Sequence, residues 1–113
     1  MRLPDGITRI DTDLGLEEAL KAEQAMLFKH SPRCPVSVWA LTEVEEFARR
    51  RPATPVYLVD VLAQRPLSQR IAADLGIPHE SPQAILLQRG KPLWHGSHSE
   101  VTADALSRHV RQD

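Results

Sequence analysis

A strand, a turn and a helix follow one another between residues 25 and 47, which read AMLFKHSPRCPVSVWALTEVEEF. The first four residues form an uninterrupted apolar run, which is typical of a strand covered on both faces. Two prolines then mark a turn around Cys34. Beyond the turn, apolar residues recur at helical spacing, and the predicted inward face comprises Val36, Ala40, Val44 and Phe47. The stretch therefore predicts a buried strand that leads through a cysteine-bearing turn into an amphipathic helix.

Outward from this stretch, the sequence alternates between strand-like and helix-like segments. Strands are predicted at residues 7–10, 56–62, 84–87 and 92–95, and helices from about Leu14, at 66–75 and at 102–110. Asp13 is the predicted cap of the first helix, and Gly76 closes the helix at 66–75. Residues 56–62 are apolar on both faces apart from Asp60, which indicates an interior parallel strand. The turn at Arg89 and Gly90 predicts an antiparallel hairpin.

The predicted order of elements is βαβαβαββα. Early alternation of strands and helices implies right-handed crossovers and parallel pairing, while the final hairpin adds antiparallel strands. This order matches the thioredoxin fold, an α/β fold of three layers with a mixed central sheet. We therefore expect residues 1–113 to form a single thioredoxin-like domain.

Composition limits the classes of function. The 113 residues are 42% hydrophobic, which is enough for one compact core. Fourteen basic residues face fifteen acidic ones, and a net charge of -1 argues against nucleic acid as the main partner. No apolar run approaches the ~20 residues of a membrane helix, and the N-terminus lacks the apolar core of a signal peptide. We expect a cytoplasmic protein without a membrane partner.

The chain contains one cysteine, so an intramolecular disulfide and a cysteine-rich zinc site are excluded. The five histidines are scattered and lack the spacing of a metalloprotease helix. The five glycines are single, so no glycine-rich phosphate loop is present. The sequence therefore predicts neither a metal site nor a tightly bound cofactor.

Cys34 lies at the start of a helix that follows a buried strand, a position that favours a reactive thiol. The partial positive charge and free N–H groups of a helix N-terminus favour a thiolate over a thiol, and Arg33 adds a cation. Pro35 fits the first helical turn, and the side chain and N–H of Ser37 can reach back toward the sulfur. The alternative is a structural cysteine. The polar turn with two prolines in which Cys34 lies favours a reactive nucleophile over a structural cysteine.

The motif around the cysteine resembles that of known redox proteins. Cys34-Pro35-Val36-Ser37 is similar to the C-P-x-C dithiol of glutaredoxins, with serine in place of the second cysteine. Residues 76–78, followed by Ser81-Pro82, resemble the stretch before the active-site cis-proline of thioredoxins. This resemblance implies that the Ser81–Pro82 bond is cis and lies beside Cys34. The exposed backbone edge there would pair with an extended substrate.

Further motifs, in the same order along nearly the whole chain, resemble the bacillithiol-system redox proteins called monothiol bacilliredoxins. They comprise residues 29–31, Cys34-Pro35-Val36-Ser37, His79-Glu80-Ser81-Pro82-Gln83, Trp94 and Ser97-His98. Pro32-Arg33 replaces the family's threonine-rich lead-in to the cysteine, a departure that changes the charge near the sulfur.

The resemblance implies that the protein removes bacillithiol from protein mixed disulfides. The Cys34 thiolate would attack the bacillithiol sulfur and carry the bacillithiol until an external thiol or dithiol resolves it. The partners would be bacillithiolated client proteins and a low-molecular-weight thiol, with bacillithiol as co-substrate. His79, Glu80 and His98 would lie near the thiol ligand, and the alternative for His79 and Glu80 is a contact that holds the loop before Pro82.

Several other polar or aromatic residues are expected to be structural. His30 is interpreted as a solvated histidine at a strand end rather than a cation that tunes Cys34. Asp60 is expected to accept backbone hydrogen bonds at the end of its strand, and Trp94 to be half-buried in the hairpin.

Two other functions fit a single-cysteine protein of this fold. One is an iron–sulfur cluster carrier similar to C-x-x-S glutaredoxins, although Pro35 stands where those carriers have glycine. The other is a non-catalytic interaction module, because a fold does not determine a function. Visible-range absorbance after anaerobic preparation would identify the carrier, and slow alkylation of Cys34 would favour the module.

Overall fold

The computed structural model describes residues 3–110 and contains five strands and four helices. The strands are β1 (Ile7–Arg9), β2 (Gln24–His30), β3 (Val56–Asp60), β4 (Gln83–Gln88) and β5 (Lys91–Ser97). The helices are α1 (Asp13–Lys21), α2 (Pro35–Arg50), α3 (Arg65–Leu75) and α4 (Ala103–His109), with a 3₁₀ turn at His98–Glu100. The predicted order βαβαβαββα is confirmed.

The strands form one mixed sheet in the order β1-β3-β2-β4-β5. The first three are parallel, and β4 and β5 are antiparallel to their neighbours. β3 is therefore an interior parallel strand, as predicted from its apolar faces. Arg89 and Gly90 form the hairpin turn with φ values of 51° and 80°, a left-handed conformation that glycine adopts readily.

Two apolar clusters lie on opposite faces of the sheet and make the three layers. One packs β2 and β4 against α2 and α4, with Phe28 and Phe47 among its members. The other packs the same strands against α1 and α3, with Leu27 and Ile71 among its members. Because β2 is covered on both faces, its side chains are buried from Ala25 onward.

Two local predictions were wrong. Thr12, not Asp13, caps α1, because its hydroxyl accepts a hydrogen bond from the Gly15 N–H at 3.1 Å and Asp13 is already helical. Val36 is 44% exposed, whereas Ser37 is buried. The apolar spacing included Val36 because a first-turn residue continues the stripe in sequence, but the part of α2 that packs into the core begins at Ala40.

Candidate active site at Cys34

Cys34 is the N-cap residue of α2 and is partly exposed. Its N–H donates to the Ser31 carbonyl at 3.1 Å, and its own carbonyl accepts from the Val38 N–H at 2.9 Å. Pro35 follows as the first helical residue, and the Cys34 thiol makes no capping hydrogen bond. The backbone therefore holds the sulfur at the positive end of a 16-residue helix, where solvent reaches it.

Ser37 faces the end of β2 and is fully buried. Its hydroxyl accepts from the Ser31 N–H at 2.9 Å and lies 2.8 Å from Nδ1 of His30. The partners of the Ser37 hydroxyl are thus His30 and Ser31, and a contact of residue 37 with the sulfur stays a prediction. Buried polar groups are hydrogen-bonded, and the last residue of β2 together with the first residue after it supplies both partners of the Ser37 hydroxyl.

His30 is 3% exposed, so its interpretation as a solvated histidine is wrong. Its ring stacks on Phe28, with centroids 5.6 Å apart. Burial lowers the pKa of His30, and the charge of Asp60 and the contact with Ser37 only partly oppose this. The neutral ring therefore braces the turn before Cys34 and supplies no cation to the sulfur.

The Ser81–Pro82 peptide bond is cis, as predicted. Pro82 immediately precedes β4, whose first residue Gln83 lies opposite Lys29 on β2. The Pro82 carbonyl accepts from the His98 N–H at 2.9 Å. This connection places the cis-proline at the end of β2 from which the chain continues to Cys34.

The structure separates the other predicted ligand-binding residues into two groups. Nε2 of His98 lies 3.6 Å from Oε1 of Glu80, and both side chains are about half exposed beside Pro82. His79 instead contacts β2 and α3, since its Nδ1 lies 3.1 Å from Nζ of Lys29 and 3.2 Å from Oγ of Ser68. His79 thus ties the loop before Pro82 to the body of the domain.

Exposed residues surround Cys34 on its own turn: Arg33, Pro35 and Val36. Asp60 ends β3, where its Oδ1 accepts from the N–H groups of Leu62 and Ala63 at 2.9 and 3.0 Å. The structural interpretation of Asp60 is confirmed. Trp94 is half-buried in the hairpin, as expected.

Lys29 was named from the sequence only as part of the motif at residues 29–31 and was given no role, yet it is the most unusual residue of this region. Its side chain is fully buried, and burial lowers its pKa from 10.5 to about 8. Burial first, and the Lys29 charge second, also lower the pKa of His79. A lysine directly after the apolar run of β2 is the one sequence signal that could have revealed it.

A cavity of about 170 Å³ lies at the same edge of the sheet as Cys34. Its lining residues come from the β3–α3 connection, α3 and the loop before Pro82: Val61, Leu62, Arg65, Ser68, Gln69 and His79. The Val61 N–H donates to the His30 carbonyl at 2.9 Å, which fixes one wall to the end of β2. A larger cavity of about 550 Å³ lies at the opposite edge, between Ala22–Gln24 and Arg50–Pro55, away from the cysteine.

Residues 3–110 contain no cluster of three or more His, Cys, Asp or Glu side chains placed to hold a metal ion. Within the same residues, every helix is too short or too polar to cross a lipid bilayer.

Known proteins share both the sequence pattern and the architecture. A family model described as monothiol bacilliredoxin BrxC matches residues 8–106. A candidate oxidoreductase with a thioredoxin fold is 26% identical, covers 91% of this chain and 92% of its own, and superposes with a TM-score of 0.86.

Two thioredoxins are more distant. A variant from Halobacterium salinarum NRC-1 is 17% identical, with 96% and 90% of the two chains covered and a TM-score of 0.75. The thioredoxin of Trypanosoma brucei brucei is 12% identical, with 96% and 94% covered and a TM-score of 0.78. At such identities the likeness supports the fold alone, and it confirms the predicted thioredoxin architecture.

Proposed function

Because the chain belongs to the monothiol bacilliredoxin family, we propose that it removes bacillithiol from mixed disulfides of client proteins through Cys34. A thiol redox function follows from the family and the fold together. The proposal adds the substrate, the nucleophile and the direction of exchange. It treats residues 1–113 as one domain that acts in the cytoplasm.

One observation carries the proposal: the only thiol of the chain is partly exposed at the N-cap of α2. A helix N-terminus stabilises a thiolate, which is the attacking form in disulfide exchange. The adjacent Arg33 is exposed and adds a positive charge. Ser37, three residues further on, has no thiol to resolve the product.

The exchange proceeds in two steps that conserve electrons. The Cys34 thiolate attacks the bacillithiol sulfur of the client's mixed disulfide, a new sulfur–sulfur bond forms, and the client sulfur leaves with the electron pair and takes up a proton. A second bacillithiol then attacks the adduct on Cys34. The products are bacillithiol disulfide and a regenerated Cys34 thiolate. An external dithiol would serve the same purpose.

The neighbouring groups have distinct proposed roles. The backbone before Pro82 pairs with an extended substrate as an added strand does. Pro35 and Val36 border the sulfur on its own turn, and Val36 offers apolar contact. Ser81 and Glu80 precede the cis-proline and His98 hydrogen-bonds to its carbonyl, and these three residues contact polar groups of the thiol ligand.

The direct test is the intact mass of the protein after incubation with bacillithiol disulfide and, separately, with glutathione disulfide. We expect one bacillithiol adduct per chain, formed faster than the glutathione adduct, and its release by added bacillithiol. Cys34→Ser is the control and must gain no mass. Equal rates with the two disulfides would refute the assignment of bacillithiol, and no adduct with either would refute thiol exchange.

A further inference from the structure

The cavity beside α3 is lined by a cation and by no carboxylate. Arg65, the first residue of α3, is one of the lining residues and is exposed. Among residues 3–110, no carboxylate lies within ion-pair distance of this guanidinium group. The Arg70 guanidinium on the same helix, by contrast, binds Asp13 at 2.8 Å and Asp74 at 3.0 Å. Arg65 is thus available to a ligand.

A second cation lies behind the wall of the cavity. Lys29 is fully buried, and within the described part of the chain no carboxylate lies within 4.0 Å of its Nζ. A buried charge without a counter-ion is unfavourable, so an anion bound nearby would be favoured.

The contact between Lys29 and His79 determines which nitrogen of the His79 ring carries the proton. The Lys29 ammonium donates to Nδ1 of His79 at 3.1 Å, and the Ser68 hydroxyl lies 3.2 Å from the same nitrogen. Because Nδ1 is the acceptor, the neutral ring carries its proton on Nε2. His79 lines the cavity, and the Nε2–H of this tautomer is the donor that an anion there would bind.

We propose that this cavity binds a carboxylate of the low-molecular-weight thiol that Cys34 accepts, with Arg65 and His79 as donors and Lys29 as a positioning residue. The inference rests on the proposed exchange at Cys34 and adds the place in the fold that binds the acidic part of the thiol. About 170 Å³ is below the usual size of a complete ligand pocket, and it fits one acidic arm of a thiol.

Two further contacts support this placement. The hydrogen bond from Val61 to the His30 carbonyl fixes the cavity to the strand end that leads to Cys34. Glu80, the acidic residue next to His79, lies 3.6 Å from His98 and does not line the cavity. We therefore place the anion beside α3 and its sulfur at Cys34, which follows the strand end at the same edge of the sheet.

The test compares two small disulfides, 3,3′-dithiodipropionate with two carboxylates and the neutral bis(2-hydroxyethyl) disulfide. Each forms a mixed disulfide with Cys34 as its own sulfur–sulfur bond breaks and half of it leaves as a thiolate. Rates of adduct formation at pH 7 are measured by intact mass and divided by the rates of the same probes with N-acetylcysteine amide. We expect the normalised rate to favour the dicarboxylate by about threefold to tenfold, the range of one or two partly exposed charge pairs.

Arg65→Gln should bring this ratio close to one. Arg70→Gln is the matched control, because it removes the same charge from the same helix but does not line the cavity. The role of Lys29 has its own readout: ¹⁵N shifts of the His79 ring should report the Nε2–H tautomer, and Lys29→Met should weaken that preference.

The outcomes separate the two proposals. If neither probe modifies Cys34, thiol exchange itself fails. If both react and the wild-type ratio is one, the exchange stands and the carboxylate site is refuted. The site is also refuted if Arg65→Gln and Arg70→Gln change the ratio equally.

Discussion

Lys29 and His30 are adjacent at the end of β2 and are both buried, yet they make opposite kinds of site. Successive side chains of a strand point to opposite faces. His30 meets Ser37 of α2 in a neutral network that is closed to solvent. Lys29 meets His79 beside α3, carries a positive charge at neutral pH and lies behind an open cavity.

This difference shows that two adjacent residues at one strand end can have different roles, one structural and one in ligand binding. The network on the α2 side satisfies its own polar groups, so it holds the turn of Cys34 in place. The cluster on the α3 side leaves a charge uncompensated, which weakens the folded state but favours a ligand anion. The three predictions below test this division, from the largest expected effect to the smallest.

Ser37→Cys should convert a persistent adduct into an internal disulfide. The introduced thiol would attack the adduct on Cys34 and close a short loop within the first turn of α2. After one equivalent of bacillithiol disulfide, the wild type should gain one bacillithiol mass, while the variant gains none and loses two hydrogens.

Ser107→Cys is the control and should keep the adduct on Cys34, because it adds a buried thiol on α4 rather than in the turn of Cys34. An adduct on Ser37→Cys as stable as that of the wild type would show that residue 37 is not in the resolving position.

Lys29→Met should stabilise the protein at pH 7. In the wild type, the lowering of the Lys29 pKa from 10.5 to about 8 corresponds to about 3 kcal/mol of unfavourable folding free energy. The variant removes this cost but also loses the hydrogen bond to His79, which contributes about 1 kcal/mol. We expect a gain of about 2 kcal/mol in the free energy of unfolding, measured by urea denaturation.

The stability difference between the wild type and Lys29→Met should depend on pH. The unfolded wild type holds the Lys29 proton up to about pH 10.5, but the folded protein releases it from about pH 8. Wild-type stability should therefore rise between these two pH values relative to Lys29→Met. Lys91→Met, which alters an exposed lysine of β5, should follow the wild type. A variant less stable than the wild type at pH 7 would contradict an uncompensated charge.

Ser37→Ala and Ser68→Ala should differ in their effect on stability. The first leaves Nδ1 of His30 and the Ser31 N–H without their partner and should cost about 1–3 kcal/mol. The second leaves Lys29 as a donor to His79 and should cost less than about 1 kcal/mol. Thermal melts of both variants make the comparison, and equal losses would show that the α3 cluster is as closed as the α2 network.

Local patterns were sufficient for most of the fold. The apolar run of β2, the helical spacing after Cys34 and the turn at Arg89 and Gly90 each depend on neighbouring residues, and all three predictions are confirmed. The errors at Asp13 and Val36 both lie at helix starts. There, an error of one residue in the predicted helix boundary changes which residue is the cap and which residues are helical. The motif before Pro82 predicted the cis bond through resemblance rather than through periodicity.

By itself, the sequence determined the order of the elements, the single thiol and its place at a helix start, because periodicity, turn residues and a cysteine count are local properties. Only the tertiary structure decided which buried polar groups meet. Lys29 and His79 are 50 positions apart in the chain, and His30 became neutral because α2 covers it. Burial and partners set the charge of such groups, and both arise when distant segments pack on the two faces of one sheet.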